Sequence, residues 1–175
     1  MTNHIFIKDR MKSFNTNITV GSDKSISIRS ILLASQAVGV SKIANLLESE
    51  DVLNTLKTIR KLGVSYKKIK NVYNIEGYGI NGFNIKKNTI IDAGNSGTLA
   101  RLILGLLVKT KYKIKLIGDK SLSKRDFSRV IKPLRLFGVN IKSNNNFLPI
   151  EIEGTNFLRP IQYSEDIGSA QVKSC

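Results

Sequence analysis

The residues best suited to chemistry in this chain lie in Asp92-Ala93-Gly94-Asn95-Ser96-Gly97-Thr98-Leu99-Ala100-Arg101. Glycines 94 and 97, interleaved with Asn, Ser and Thr, stand between the β-branched run Thr89-Ile90-Ile91 and the apolar stretch Leu102–Val108. That order reads as strand, tight turn and helix start. The first amides of a helix lack carbonyl partners and carry the positive end of its dipole, so such a turn suits an anion. Arg101, near the end of the first helical turn, adds a guanidinium fork for phosphate or carboxylate. A Ser or Thr N-cap beside a salt-bridged arginine explains the same residues without any ligand.

Three further stretches carry related residues. Gly21-Ser22-Asp23-Lys24-Ser25 leads into a helical pattern that contains Arg29, with Ser25 or Ser27 as a candidate cap. Gly118-Asp119-Lys120-Ser121 precedes Lys124-Arg125, and Ser169-Ala170-Gln171 opens a last helical turn. Equivalent turns of a repeated architecture point to one end of the fold. That would gather hydroxyls, helix starts and the cations Lys24, Arg29 and Arg125 with few carboxylates, which describes an anion site. No G-x-x-x-x-G-K-[ST] occurs, which argues against a nucleotide P-loop.

A repeat sets the elements that must position these residues. Leu62-Gly63-Val64 returns 75 residues later as Phe137-Gly138-Val139, and Ile75-Glu76-Gly77 returns 77 residues later as Ile152-Glu153-Gly154. Between each pair of phrases the pattern predicts two strands around an Asn-containing turn. Upstream it predicts amphipathic helices over 51–62 and 127–137. Upstream again come a strand, a Gly/Ser turn, an apolar helix and a second strand, over 20–47 and 90–117. In detail, strands are expected at 17–20, 40–47, 64–68 and 73–76, and a helix from Ser27 to a stop at Gly39. The expected unit is βαβαββ, present twice in an α/β (α+β) fold. Ile161–Tyr163 and residues 165–174 read as the strand and first helical turn of a third copy, within which the chain is expected to stop. Ile5-Phe6-Ile7 is a short β-like piece.

Composition narrows the function. With 41% hydrophobic residues and three prolines, the 175 residues describe a folding chain. The formal charge of +15 is spread along the chain without a dense basic block, and aromatics do not interleave with it, which disfavours nucleic acid. A positive field of this kind favours a small, multiply anionic substrate. Cys175 is the single cysteine and His4 the single histidine, so neither a disulfide framework nor a metal centre is expected. The N-terminus lacks a signal-peptide apolar region, and the longest apolar runs are too short to span a membrane. A cytoplasmic protein is expected.

Asp23-Lys24-Ser25-Ile26-Ser27-x-Arg29, Asp92-x-Gly94-Asn95-Ser96-Gly97-Thr98-x-x-Arg101, Gly118-Asp119 with Lys124-Arg125, and Ser169-Ala170-Gln171-Val172-Lys173-Ser174 together resemble the 3-phosphoshikimate 1-carboxyvinyltransferase (EPSP synthase) family. The resemblance is weaker to the related transferases acting on UDP-N-acetylglucosamine, which carry Lys-Asn where this chain has Lys24-Ser25. It implies the enolpyruvyl transferase fold, with two domains of three βαβαββ units each and the active site between them. Residues 1–14 would cross to the second domain. Residues 15–175 would form an incomplete N-terminal domain, with unit one at 15–85, unit two at 86–158 and the start of unit three at 159–175. The C-terminal domain would be absent or separately encoded.

The implied reaction transfers the enolpyruvyl group of phosphoenolpyruvate to the 5-hydroxyl of 3-phosphoshikimate and releases phosphate, without a metal or organic cofactor. By resemblance Lys24 touches both substrates and is the catalytic candidate. Ser25, Arg29, Ser169, Ala170 and Gln171 would join it in binding 3-phosphoshikimate. Asn95, Gly97, Arg125 and Gln171, again with Lys24, would bind phosphoenolpyruvate. The chain departs from the family at Val20-Gly21-Ser22, where Pro-Gly is usual, at Ile28, where His is usual, and at Asp126, where Pro is usual. Asp126 is expected to weaken Arg125 by pairing with it. The second domain supplies the family's proton-transfer carboxylate and lysine and further phosphoenolpyruvate arginines, so this chain alone is expected to be inactive. The alternative is a non-catalytic remnant or anion-binding module that keeps the shikimate 3-phosphate pocket.

Overall fold

The computed structural model describes residues 13, 15, 17, 18, 20–80, 82–165 and 168–175. The β-like piece Ile5-Phe6-Ile7, His4 and most of segment 1–14 lie outside the described residues, as do Thr19, Asp166 and Ile167. Helices α1–α5 are Lys24–Gln36, Glu50–Lys61, Gly97–Leu106, Ser128–Leu136 and Ala170–Ser174. Strands β1–β7 are Val38–Ala44, Ser65–Ile69, Val72–Tyr78, Ile90–Asp92, Ile114–Ile117, Asn140–Asn144 and Phe147–Glu153. The result is an α/β fold with two sheets. The first has the order β1-β3-β2, with β3 antiparallel to both neighbours. The second has the order β4-β5-β7-β6, in which β7 is antiparallel to both neighbours and β4 lies parallel to β5.

Strand alternation explains why each sheet turns one face inward. Tyr73 and Ile75 of β3, and Ile114, Leu116, Ile150 and Ile152 of β5 and β7, are buried in one contiguous core. Ile28 and Ile31 of α1, Leu56 and Ile59 of α2, and Ile103 and Leu104 of α3 are fully buried in the same core. Every residue of α3 from Gly97 to Leu104 except Arg101 is buried, so its first turn is fixed by packing on all sides.

Two expected strands do not form among the described residues. Asn17, Ile18 and Val20 are irregular, and Ile18 and Val20 are exposed. Alternation alone does not make a strand without a ladder partner, and β1 pairs only with β3 among the described residues. Ile161–Tyr163 is likewise irregular. The first helix starts at Lys24, three residues before Ser27, because Asp23 is the cap: its carboxylate accepts the Ile26 amide at 2.7 Å. Ser27 turns inward instead, donating to the Asp23 carbonyl at 2.7 Å and accepting the Leu47 amide at 3.0 Å. β1 runs from 38 to 44 and not from 40 to 47, ending at Asn45, which has φ +58°.

The recurring glycine phrases do matching work. Gly63 and Gly138, with φ of +89° and +98°, follow α2 and α4. After each, the next amide reaches back into the helix: Val64 to the Ile59 carbonyl at 3.0 Å and Val139 to the Leu134 carbonyl at 3.1 Å. Gly77 and Gly154 have a different reason. A side chain at Gly77 would collide with the carbonyls of Ala34 and Ala37 at the C-terminal end of α1, and one at Gly154 with the backbone of Val108–Thr110 beyond α3. In both places a strand crosses the end of a core helix at backbone distance. Gly77→Ala and Gly154→Ala are each expected to lower the unfolding free energy in urea titrations by at least about 2 kcal/mol. Gly21→Ala, with nothing within 4 Å of its Cβ position, is expected to change it by less than about 0.5 kcal/mol.

Candidate functional site

The α3 start is built as a sequence of turns. Asp92 closes β4 and accepts the Gly94 amide at 2.8 Å. Gly94 takes φ +55°, and a Cβ there would lie 2.5 Å from the Asn54 amide nitrogen of α2. Ser96 is the N-cap, its hydroxyl accepting the Leu99 amide at 3.2 Å. Gly97 then opens the helix with no side chain over its first turn. Two guanidinium groups use that space: a Cβ at Gly97 would lie 2.8 Å from Arg101 Nη1 and 3.1 Å from Arg125 Nη1.

Arg125 reaches this point from the loop after β5, and its Nη2 donates to Asn95 Oδ1 at 2.7 Å. The other end of the same amide, Asn95 Nδ2, donates to Asp119 Oδ2 at 2.7 Å. Asp119 is held in turn by the Leu122 amide on Oδ1 at 2.6 Å, and its own amide donates to the Gly94 carbonyl at 2.9 Å. The Leu122 and Asn95 N–H groups hold the Asp119 carboxyl below its ordinary range. Arg101 donates to the Gly97 carbonyl at 3.3 Å and the Asp126 carbonyl at 3.0 Å, with its guanidinium 4.7 Å from the Phe127 ring centre. Burial, and then the like charge of Arg125, lowers the Arg101 pKa.

The other helix starts join this one by contacts. Lys24 Nζ is 2.8 Å from Asp51 Oδ2, tying the first turns of α1 and α2. One turn further along α2, Asn54 approaches Gly94. Gln171 of α5 donates to the Thr98 hydroxyl at 3.4 Å, while Ser169 caps α5 by accepting the Val172 amide at 3.4 Å. Arg29 donates to the Ser25 carbonyl at 3.4 Å and lines a cleft of about 310 Å³ with Leu32, Leu102, Leu106 and Ser174. Asn95, Gly97 and Arg125 are therefore in direct contact. Gln171 and Lys24 connect to them through Thr98 and through α2, Ser25 and Arg29 pair within α1, and Ala170 is exposed.

Residues 8–175 match the EPSP synthase (3-phosphoshikimate 1-carboxyvinyltransferase) family. The chain belongs to this family. It is 46% identical over 170 residues to the 3-phosphoshikimate 1-carboxyvinyltransferase of Ruthia magnifica subsp. Calyptogena magnifica, covering 97% of this chain and 39% of that protein. The corresponding Streptococcus pyogenes serotype M1 protein is 43% identical, over 90% of this chain and 37% of its own length. Among solved structures, EPSP synthase from Acinetobacter baumannii superposes with a TM-score of 0.82 at 41% identity, over 90% of this chain and 36% of that chain. The chain thus spans about 39% of the length of curated EPSP synthase relatives. None of its described helices is long and apolar enough to cross a membrane.

One feature of this EPSP synthase family member differs from expectation. Asp126 does not pair with Arg125. Its carboxylate accepts both the amide and the hydroxyl of Ser128, the amide at 2.9 Å, and so serves the first turn of α4. Ile28, where the family usually has His, is fully buried in the core. Sequence reasoning also passed over three participants. Asp51 was legible only as an acid suited to a helix start, Asp119 only as a turn residue, and Asn54 not at all. Their partners lie 24 to 40 residues away in the chain, beyond any local pattern.

Two expectations follow. In Gly97→Ala the new methyl displaces only flexible guanidinium ends, so the melting temperature should stay within a few degrees. Affinity for inorganic phosphate, read by ³¹P NMR titration, should fall about tenfold through loss of a charge-assisted contact. Cys175, whose thiol lies 3.2 Å from the Arg101 carbonyl, has its pKa pushed up to about 11 by burial. At pH 8 its alkylation by iodoacetamide should be about 100-fold slower than in the urea-unfolded chain.

Proposed function

We propose that this chain carries the substrate-phosphate side of an enolpyruvyl transferase site. The reaction would join the 5-hydroxyl oxygen of 3-phosphoshikimate, as it loses its proton, to C2 of phosphoenolpyruvate while C3 gains a proton, and would then break the bond from C2 to the phosphate oxygen as C3 gives up a proton, releasing phosphate. The contact that best supports this reading is Arg125 held beside the α3 start by Asn95, its guanidinium sharing with Arg101 the space that Gly97 leaves. In the proposed roles Arg125, Asn95, Gly97 and Gln171 receive phosphoenolpyruvate. Ser25, Arg29, Ser169, Ala170 and Gln171 receive the shikimate phosphate, and Lys24 lies between the two substrates. Two polyanions repel each other in water, so fixed cations and helix amides that hold both lower the cost of bringing the hydroxyl to C2.

The proposed architecture is two repeated units at 15–85 and 86–158, βαβαββ in the second and lacking the opening strand among the described residues of the first, with a third beginning at 159. It is supported by the matching strand orders β1-β3-β2 and β5-β7-β6 and by the paired roles of Gly63 with Gly138 and Gly77 with Gly154. The resemblance implies that the family's proton-transfer groups belong to a second domain, so residues 1–175 taken by themselves are proposed to bind without turnover. A coupled phosphate-release assay on the 175-residue chain should show no catalysis above background. Calorimetric titration of 3-phosphoshikimate should show binding to the wild-type chain and about tenfold to hundredfold weaker binding to folded Arg29→Ala, since a charge-assisted contact contributes about 1.5–3 kcal/mol. Equal affinities, or binding to neither protein, would refute the assignment of the shikimate phosphate to this half of the fold.

A further inference from the structure

We propose that Asp119 is a positioning residue that aims Arg125 through Asn95 while leaving the guanidinium charge unpaired. The inference rests on the reading of Arg125 as a phosphoenolpyruvate ligand, and it concerns how that side chain is aimed.

The argument is one of hydrogen-bond polarity. An ionised carboxylate only accepts. Asp119 Oδ1 takes the Leu122 amide and Oδ2 faces Asn95, so Asn95 must turn its NH₂ toward Asp119. Its carbonyl oxygen then has one direction left, toward Arg125 Nη2 at 2.7 Å. The carboxylate therefore sets the direction of a bond it does not make. Had Asp119 touched Arg125 directly, the pair would have been a salt bridge, and an incoming anion would have had to displace it. With a neutral amide between them, one guanidinium edge is fixed and the charge stays available. Asp126, the other acid beside Arg125 in sequence, is turned away onto Ser128.

Asp119→Asn tests this with almost no change in shape. The new amide at 119 can still accept the Leu122 N–H with its oxygen, but its NH₂ then faces Asn95. Asn95 must flip, and its NH₂ meets the donors of Arg125. In ¹⁵N NMR spectra of the full chain without ligand, Asp119→Asn should shift the Asn95 carboxamide signals and speed exchange of the Arg125 guanidinium protons. Phosphoenolpyruvate affinity, measured by NMR titration in the presence of 3-phosphoshikimate, should fall at least tenfold. Affinity for 3-phosphoshikimate alone should stay within about twofold, and the melting temperature within a few degrees. The double variant N95D/D119N restores an acceptor toward both neighbours, so the Arg125 signals should return. The carboxylate now lies on the guanidinium, and phosphoenolpyruvate binding should remain weak.

If Asp119→Asn leaves the Asn95 and Arg125 signals and the affinity as in wild type, the proposal is overturned. It is equally overturned if the double variant binds phosphoenolpyruvate as tightly as wild type. If wild type binds no phosphoenolpyruvate, the functional reading fails, and the ligand-free signals still decide whether Asp119 aims Arg125.

Discussion

A guanidinium beside the first turn of a helix stands at the wrong end of the dipole. The free amides there already carry positive partial charge, and acids, not bases, stabilise that position. Arg125 is held there, with Arg101 on the other side of the same missing side chain at Gly97. The like charges and the burial show in the lowered pKa of Arg101. Such a cluster persists only because other contacts fix it. Asn95 holds Arg125 by one edge, and two backbone carbonyls with the Phe127 ring hold Arg101. Under the proposed function, an anion entering this space would relieve that repulsion, which would make the site selective for charge before any contact is optimised.

The repulsion can be borne because α3 cannot move. Seven of its first eight residues are buried, and the preceding turn is closely packed, Gly94 against the Asn54 side chain and Gly118 against Leu122 and the Gly94 carbonyl. Burial of that helix supplies the apolar free energy, and the turn inherits its rigidity. The close strand crossings at Gly77 and Gly154 act at the opposite ends of α1 and α3, pinning each core helix where its C-terminal turn meets a sheet. The sheets therefore position the site at a distance, by fixing helices whose N-terminal turns carry the functional groups.

Local signals carried much of this. The Gly63 and Gly138 helix stops and the strand-turn-helix at Asp92–Arg101 depend on residues within a few positions of one another. Sequence reading is reliable at that range. It was less reliable where two local solutions compete, as at Asp23 and Ser27, since both can cap and only tertiary contact with Leu47 decides which one turns inward. The alternation at 17–20 failed for a related reason, because a strand exists only with its partner. Asp51 and Asp119 were invisible as site residues, because a carboxylate has no local sign of the cation or amide it will meet across the fold.

Under the proposed function, the disposition of the acids bears on which cation an anion would meet first. Asp119 is hydrogen-bonded to Leu122 and Asn95, and Asp126 to Ser128, so neither forms a salt bridge with a guanidinium. Lys24 alone among the proposed ligands is paired, with Asp51, and half of its side chain remains exposed. Only the lysine end of this pair is open to water, since Asp51 is 16% exposed, so a move of Lys24 to substrate would leave a largely buried carboxylate to be satisfied. Under the proposed function the arginines would present standing charge, whereas Lys24 would be shared between Asp51 and the incoming anion. An anion drawn in by Arg125 would meet a lysine already aligned by Asp51 at the start of α1. Moving the ammonium from carboxylate to substrate needs no rearrangement of the backbone, because both helix starts are set by the core beneath them.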